Sequence, residues 1–284
     1  MIHVEQLSFT YPKSTTPAVS ELSFEVGDGE IFGFLGPSGA GKSTTQNVLI
    51  GLLKHFSGTV EVLGKPLGQW GTEYYRHIGV SFEFPNHYLK LSARENLQYF
   101  RSLYGGDAES IESVLELVDL SDAIDQPVGA FSKGMKNRLN FARSLLHRPR
   151  LWFLDEPTAG LDPVNALRIR EIIRDRQQQG ITTFITTHDM VTADSLCDRV
   201  GFIVDGEIAT IDAPEALRRK YGRREVRVTW QSEAREHSAT FPLDGLGDNA
   251  DFSDALQRHQ PTSIHSQETT LEDVFVQVTG QDLQ

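Results

Sequence analysis

A glycine-rich stretch followed by a lysine and two hydroxyl residues is the part of the chain best suited to chemistry. Its residues are Gly36, Pro37, Ser38, Gly39, Ala40, Gly41, Lys42, Ser43 and Thr44, in the spacing G-x-x-x-x-G-K-[ST]. Glycine permits positive φ angles and close approach of backbone N–H groups to an anion, and a helix beginning near Lys42 adds the positive end of its dipole. A turn that merely starts a helix is the simpler alternative. The full match favours a phosphate-binding loop (residues 36–44) for a nucleotide, with Lys42 on the β- and γ-phosphates and Ser43 as a ligand of Mg²⁺.

Two further groups of reactive side chains follow apolar runs in the second half of the chain. Asp155 and Glu156 come directly after Leu151–Leu154, and His188 follows the strand-like run 181–186. Because ligands bind at the carboxyl ends of strands in open α/β sheets, we expect these side chains near the phosphate-binding loop. Asp155 suits Mg²⁺, and Glu156 suits the orientation and polarisation of an attacking water. A strand-end ion pair or a helix cap is the alternative for the two carboxylates.

The composition excludes several classes of protein. The chain has 284 residues, of which 39% are hydrophobic, enough for one large domain and a small one. Its net charge is −12 and its basic residues are scattered, so we expect no nucleic-acid partner. The single cysteine, Cys197, excludes an internal disulfide. We find no signal peptide and no apolar run near the roughly 18 residues that span a bilayer, so a role at a membrane requires another chain.

The elements that must position the reactive side chains alternate between strand and helix. We predict a strand over 31–35, a helix capped by Ser132 that runs to about 147, and a helix from Asp162 to Gly180. This alternation predicts a three-layer α/β fold with a largely parallel sheet. Near the N-terminus, apolar and polar residues alternate, which predicts antiparallel strands that lead into the strand before the phosphate-binding loop.

Three other segments are informative. The segment 83–89 combines proline, asparagine and aromatic residues, which indicates either a contact surface or a loop folded onto the core. Residues 200–211 predict a hairpin with a two-residue turn at Asp205-Gly206. A change of character after Lys220 predicts a domain over 1–220 and a small accessory subdomain over 221–284.

Five motifs, in order, resemble those of the ATPase subunit of an ABC transporter, and the resemblance covers about residues 1–220. Gly36–Thr44 resembles Walker A, Phe131–Met135 resembles the LSGGQ signature, and Leu154–Pro157 resembles Walker B with its catalytic glutamate. Ala159–Asp162 resembles the D-loop, and Thr187–Asp189 resembles the switch-histidine loop.

The resemblance implies a P-loop NTPase fold with a mostly parallel sheet, an antiparallel β subdomain, a helical signature subdomain and a small α+β C-terminal extension. It implies an ATPase in which Lys42, Glu156 and His188 act in catalysis, with His188 on the γ-phosphate. It also implies that Tyr11 stacks on adenine and that ATP lies between two copies of the chain. The other residues implied to contact the nucleotide are Ser132, Gly134 and Asp162.

The chain departs from the family's pattern at two places. Glu83 stands where the family normally carries Gln; a carboxylate still reaches Mg²⁺ or the attacking water, but it cannot donate a hydrogen bond as an amide does. The expected metal set is therefore Ser43, Asp155 and Glu83. Lys133 and Met135 replace glycines of the commonest signature, although the helix N-terminus that would face the γ-phosphate is retained.

The C-terminal segment refines the predicted function. Leu271–Phe275 lies in a predicted helix and resembles the tail of ATPase subunits of ABC exporters for drugs, antibiotics and polysaccharides or lipids. This implies an ATP-hydrolysing subunit, peripheral on the cytoplasmic face of the cell membrane, that powers export through a separate transmembrane permease. The alternatives are a soluble ABC-type ATPase acting on ribosomes or DNA, which the acidic charge disfavours, and the ATPase of an ABC importer.

Overall fold

Two compact units make up the protein. A computed structural model describes residues 1–105, 108–222, 225–232, 235–267 and 269–281. The units are Met1–Ala213 and Pro214–Gln281. The division predicted from the sequence, 1–220 and 221–284, marks where the family resemblance ends and stays a prediction.

The first unit contains two sheets. The strands are β1 (Ile2–Phe9), β2 (Val19–Val26), β3 (Ile31–Leu35), β4 (Ser57–Val62), β5 (Lys65–Pro66), β6 (Ile78–Ser81), β7 (Leu151–Asp155), β8 (Thr182–Thr187), β9 (Arg199–Val204) and β10 (Glu207–Asp212). One sheet has the order β10-β9-β3-β8-β7-β6 and is parallel except for β10; the other is antiparallel, with the order β2-β1-β4-β5. The predicted mostly parallel sheet and antiparallel β subdomain are therefore confirmed.

Six helices accompany these strands in the described part of the first unit. They are α1 (Lys42–Leu49), α2 (Ala93–Tyr104), α3 (Ile111–Leu117), α4 (Lys133–Leu145), α5 (Pro163–Gln178) and α6 (Met190–Leu196). The predicted caps are confirmed, because the Ser132 side chain accepts from Met135 N and the Asp162 side chain accepts from Val164 N and Asn165 N. The caps satisfy N–H groups that have no partner within the helix, so they fix where α4 and α5 begin.

An aromatic cluster joins the two sheets. Phe24 of the antiparallel sheet stacks on Phe32 of β3 at 5.7 Å between ring centroids, and Phe184 of β8 lies 5.9 Å from Phe32. Phe32 and Phe184 are fully buried and Phe24 nearly so. Burying such a ring is worth about 1.5–3 kcal/mol, so the cluster holds the central strands in place. The phosphate-binding loop consequently starts from a rigid strand.

The second unit is a small α+β assembly. Its elements are α7 (Pro214–Tyr221), β11 (Glu225–Ser232), β12 (Arg235–Pro242), α8 (Ala250–Arg258), β13 (Pro261–Gln267) and α9 (Leu271–Thr279), and its sheet has the order β12-β11-β13. The predicted C-terminal helix, α9, begins with a capping box, in which Thr270 and Asp273 bond each other's backbone N–H groups. Phe252 of α8 packs edge-on against Phe241 of β12 at 5.5 Å.

Candidate nucleotide site

The phosphate-binding loop connects the fully buried strand β3 to helix α1. A Cβ on Gly36 would lie 2.1 Å from the carbonyl oxygen of Ile203, so only glycine fits at the start of the loop. Gly41 has φ 105°, a left-handed conformation that favours glycine, and caps α1. The Lys42 ammonium donates to the carbonyl oxygens of Gly36 and Pro37 at 2.6 and 2.9 Å. The loop thus curls around a single cation at a helix N-terminus, which is the arrangement that binds phosphate.

Because of these contacts, two alanine substitutions in the phosphate-binding loop should lower the free energy of unfolding by different amounts. We expect Gly36→Ala to lower the free energy of unfolding by at least about 2 kcal/mol, since the new methyl overlaps the Ile203 carbonyl. Gly39→Ala is the control: Gly39 has φ 84° but nothing lies within 4 Å of an added Cβ, so only backbone strain of about 1 kcal/mol is expected. Urea unfolding compares the two; equal costs would contradict the tight contact at Gly36.

Asp155 reaches the phosphate-binding loop from the end of β7. Its carboxylate accepts a hydrogen bond from the Thr186 hydroxyl, and the Ser43 hydroxyl of the loop interacts favourably with its charged form. Burial raises the pKa of Asp155, and the neighbouring Glu156 charge adds to that rise, while Lys42 and the two hydroxyl donors oppose it. The half-buried Asp155 carboxylate and the Ser43 hydroxyl are two oxygen ligands of the kind that Mg²⁺ prefers.

The raised pKa of Asp155 predicts a pH-dependent stability. The folded state holds this proton more tightly than the unfolded chain does, so the carboxylate's contribution to stability falls as pH rises from the unfolded pKa through the folded one. We therefore expect Asp155→Asn to increase the urea midpoint at pH 7, with a difference that shrinks as the pH is lowered.

Asp162→Asn is the matched control with the opposite sign. Hydrogen bonds from Asn165 lower the pKa of Asp162, so its stabilisation is present above the unfolded pKa and is lost as pH falls through the folded pKa. Asn still caps the Val164 and Asn165 N–H groups, but it lacks the charge and the oxygen that accepts from the Asn165 side chain, so this variant should lose stability at pH 7. If both variants shifted the midpoint in the same direction, the assigned electrostatics would be wrong.

Glu156 lies next to Asp155 in a left-handed conformation with φ 48°. Its carboxylate accepts from the Thr187 hydroxyl at 2.8 Å and from the backbone N–H of His188 at 3.0 Å. The Nδ1 atom of His188 lies 2.6 Å from the same carboxylate. A non-glycine residue with positive φ costs about 1–2 kcal/mol, and such strain clusters at functional sites. These hydrogen bonds fix the buried Glu156 carboxylate, and one of its partners, the His188 side chain, is exposed to solvent.

Glu83 joins this carboxylate group after β6. Partial burial raises the pKa of Glu83, and the charges of Asp155 and Glu156 raise it further, whereas His188 and Lys133 lower it. Three carboxylates therefore interact electrostatically with Lys42. Burial lowers the pKa of Lys42, whereas the negative charges of these three acids raise it and so stabilise the ammonium. A concentration of negative charge beside a phosphate-binding loop favours a bound cation.

Tyr11 lies against the first turn of helix α1. Its hydroxyl is 3.1 Å from the Thr44 hydroxyl, and its ring packs edge-on against Phe9 at 5.0 Å. The ring is 42% exposed, so one surface stays free for stacking. Ser132 and Gly134 lie at the start of α4 and Asp162 caps α5; within the described ranges none of the three bonds the phosphate-binding loop.

Comparison with known proteins identifies the family. Residues 19–159 match the ABC transporter family profile, and residues 224–268 match a fluoroquinolone efflux ABC transporter C-terminal domain. The chain is 52% identical over 284 residues to the fluoroquinolones export ATP-binding protein of Mycobacterium tuberculosis, covering all of this chain and 94% of that one. This chain belongs to the ABC transporter ATP-binding proteins.

Other relatives agree with that assignment. The bacitracin transport ATP-binding protein BcrA of Bacillus licheniformis is 42% identical over 193 residues, covering 67% of this chain and 63% of that protein. A solved ATP-binding subunit of an ABC transporter superposes with a TM-score of 0.71 at 28% identity, covering 78% of this chain and 93% of that chain. These findings confirm the predicted P-loop NTPase fold and the predicted ATP-hydrolysing exporter subunit over the two alternatives.

Sequence reasoning missed the groups that orient this ABC ATPase site. Thr186 and Thr187 end strand β8 and donate to Asp155 and Glu156, and Gln46 of α1 is buried against Thr186, with 3.4 Å between their side-chain oxygens. The only sequence signal was their place directly before His188, at the carboxyl end of a strand.

A second missed feature is a clamp between the aromatic loop (residues 82–89) and helix α4. Asn140 donates to the Phe82 carbonyl at 2.8 Å, and Arg143 donates to the Asn86 carbonyl at 2.8 Å. His87 Nε2 lies 2.9 Å from the Lys136 carbonyl, so it donates to that oxygen. Burial lowers the pKa of His87 to about 4, so the ring is neutral near pH 7. The clamp therefore connects the aromatic loop, which contains Glu83, to the signature helix α4, so called because the signature-like segment 131–135 forms its start.

Proposed function

We propose that this ATPase subunit powers export of planar aromatic drugs of the fluoroquinolone class through a separate membrane permease. The observation that carries the proposal is the second profile match, because it covers the C-terminal unit rather than the ATPase machinery common to the family. The relative of 52% identity, which also spans that unit, is named for fluoroquinolone export. We place the subunit on the cytoplasmic face of the membrane as a peripheral protein. No helix in the described part of the chain is long and apolar enough to cross a bilayer.

The geometry supports distinct roles for the residues around the phosphate-binding loop. Lys42 and the loop N–H groups bind the β- and γ-phosphates, and Tyr11 stacks on adenine. Ser43 and Asp155 fit Mg²⁺, with Glu83 beside them; the ion, when bound, neutralises charge on the phosphates. Glu156 orients and polarises the attacking water, and His188, hydrogen-bonded to Glu156, faces the γ-phosphate. The other loop residues, Pro37, Ser38, Gly39, Ala40 and Thr44, shape the phosphate cradle.

A second copy of the chain completes this arrangement. Ser132 and Gly134 lie at the N-terminus of α4, where a helix dipole favours an anion, yet they do not bond their own phosphate-binding loop among the described residues. Adding a side chain at Gly134 would meet only Leu161 and Ser132 atoms at 3.7 Å or more, which leaves this end accessible. We infer that Ser132, Gly134 and Asp162 of one copy contact the ATP held by the other.

The aromatic loop is the proposed contact with the permease. Phe84, Tyr88 and Leu89 are 75%, 48% and 54% exposed, and Tyr99 and Leu103 of α2 are exposed as well. Contiguous exposed apolar side chains of this kind mark interaction surfaces. The clamp to α4 gives such a contact a direct mechanical connection to the signature helix.

A charge at the tip of the aromatic loop should uncouple transport from ATP binding. We expect Phe84→Asp to lower ATP-driven drug transport at least about tenfold, because an unpaired carboxylate would be buried at the contact. ATP affinity of the isolated subunit should stay unchanged. Lys90→Asp, an exposed change next to the loop, is the control. Unchanged transport by Phe84→Asp, measured in inverted membrane vesicles, would exclude this docking surface.

Affinity purification from mild-detergent membrane extracts tests the proposed partnership. We expect a polytopic membrane protein to accompany the chain in stoichiometric amount. Recovery of ribosomal or DNA-repair proteins instead would refute the membrane assignment, and co-purification of an extracytoplasmic binding protein would indicate import.

A further inference from the structure

An aromatic pocket lies at the end of helix α1 that points away from the phosphate-binding loop. Its volume is about 540 Å³, within the range of sites that enclose a drug-sized ligand. The side chains that define it are Leu53, Lys54, Phe56, Trp70, Tyr74 and Tyr75. Three glycines in the same lining keep space open between these rings. The pocket is therefore a cleft with aromatic and aliphatic walls and few polar groups, the usual character of a small-molecule site.

The walls of the aromatic pocket are fixed before any ligand arrives. The Trp70 indole N–H donates to the Val62 carbonyl at 3.0 Å, and the Lys65 ammonium sits 4.5 Å from the centre of the Trp70 ring. The Tyr74 ring lies 5.5 Å from Trp70, and its hydroxyl donates to the Leu49 carbonyl at 2.7 Å. A pre-organised aromatic wall binds a flat ring without the cost of ordering its own side chains.

The rim of the pocket carries an uncompensated positive charge. Lys54 and His55 are both exposed in the lining, and Lys54 forms no ion pair with any residue whose position the structure describes. Lys65, by contrast, is paired with Glu73 at 3.7 Å. A carboxylate on a bound ligand would find Lys54 available, whereas a ligand cation would meet no free acid among these lining side chains.

We propose that the aromatic pocket binds planar aromatic carboxylates. Flat rings pack against Trp70, Tyr74 and Tyr75, and the carboxylate pairs with Lys54 at the rim. The choice of a fluoroquinolone as the test ligand rests on the proposed function, because that drug class combines a fused aromatic ring with a carboxylate. The lining involves neither the phosphate-binding loop nor the carboxylates around it, so this site is separate from the nucleotide site.

The location of the pocket connects its occupancy to ATP chemistry. Tyr74 is hydrogen-bonded to the last residue of α1, the helix that begins with Lys42. The segment 72–76, which supplies Tyr74 and Tyr75, leads directly into β6 and onward to Glu83. A ligand in the pocket therefore contacts the end of the segment that begins with Lys42 and the segment that leads to Glu83. Through these two segments, the nucleotide site can respond to a drug bound in the pocket.

Fluorine NMR of norfloxacin with the purified full-length chain tests the proposal. We expect its aromatic fluorine signal to broaden with saturable one-to-one binding in the absence of nucleotide. Gly68→Leu obstructs the lining without a clash, since nothing lies within 4 Å of a Cβ there and Gly68 is not left-handed. It should weaken binding at least about tenfold. Lys54→Glu should weaken it by a similar factor, while Lys90→Glu, the same charge change outside the pocket, should not.

Several results would overturn the inference. Equal affinity of the wild type and Gly68→Leu would place any bound drug elsewhere, and unchanged affinity of Lys54→Glu would remove the carboxylate contact. Loss of binding on assembly with the permease would assign the pocket to that partner's side chains. Absence of norfloxacin binding alongside active drug transport would refute this inference alone, and binding without transport would refute the proposed function alone.

Discussion

Glu156→Gln should lower the rate of ATP hydrolysis about 10²–10⁴-fold, the usual contribution of a positioned general base. The amide oxygen keeps the acceptor for the His188 N–H, and the amide NH2 can donate to the Thr187 hydroxyl, so the local fold is retained. What is lost is the negative charge that polarises water. ATP binding should persist, because Lys42 and the phosphate-binding loop are untouched.

The same substitution should trap an ATP-bound dimer. Steady-state hydrolysis and light scattering at saturating ATP give the two readouts, and we expect twice the mass of one chain for the variant with ATP. Glu225→Gln, the same substitution at a half-buried strand position in the C-terminal unit, is the charge-matched control. A variant that remains monomeric would contradict the two-copy site, and one that hydrolyses at the normal rate would remove Glu156 from catalysis.

Lys42→Ala should weaken ATP binding by at least about 100-fold. Lys42 is only 9% exposed, and its ammonium donates to the Gly36 and Pro37 carbonyls inside the phosphate-binding loop. Each charge-assisted hydrogen bond that it transfers to phosphate is worth about 1.5–3 kcal/mol. Its removal also leaves Asp155 and Glu156 without their nearest buried cation.

Calorimetric titration with ATP and Mg²⁺ measures this effect. Lys65→Ala is the control, because the described contacts of that lysine, a partly exposed ion pair with Glu73 and a position over the Trp70 ring, lie outside the nucleotide site. The control should bind ATP as the wild type does. Retention of wild-type affinity by Lys42→Ala would mean that the loop lysine does not contact the phosphates.

Much of the site follows from local sequence rules. The phosphate-binding loop is recognisable from the spacing of its glycines, lysine and hydroxyl residues, and the caps at Ser132 and Asp162 depend on short-range hydrogen bonds. The Asp205-Gly206 turn was also predictable, because both residues adopt the positive φ angles of a two-residue hairpin. These features need only a few neighbouring residues to be recognised.

The features that sequence reasoning missed depend on contacts across the chain. Thr186 donates to Asp155 from the neighbouring strand, and the clamp bonds from Asn140 and Arg143 join residues 58 and 57 positions apart. Helix α8 and strand β13 lie in a stretch that is polar overall, and the contact that holds α8, Phe252 against Phe241 of β12, is visible only in the fold. The aromatic pocket could not be predicted from the sequence, because its rings come from two segments, 51–56 and 67–75, that meet only in the fold.

ATP-dependent accumulation of norfloxacin in inside-out membrane vesicles is the most direct test of the central claim. The vesicles should contain this subunit together with its permease, and Glu156→Gln vesicles serve as the inactive control. We predict drug accumulation that requires ATP and Mg²⁺ and falls to background in the control. Accumulation that is independent of ATP, or equal in both preparations, would contradict a role for this chain in powering drug export.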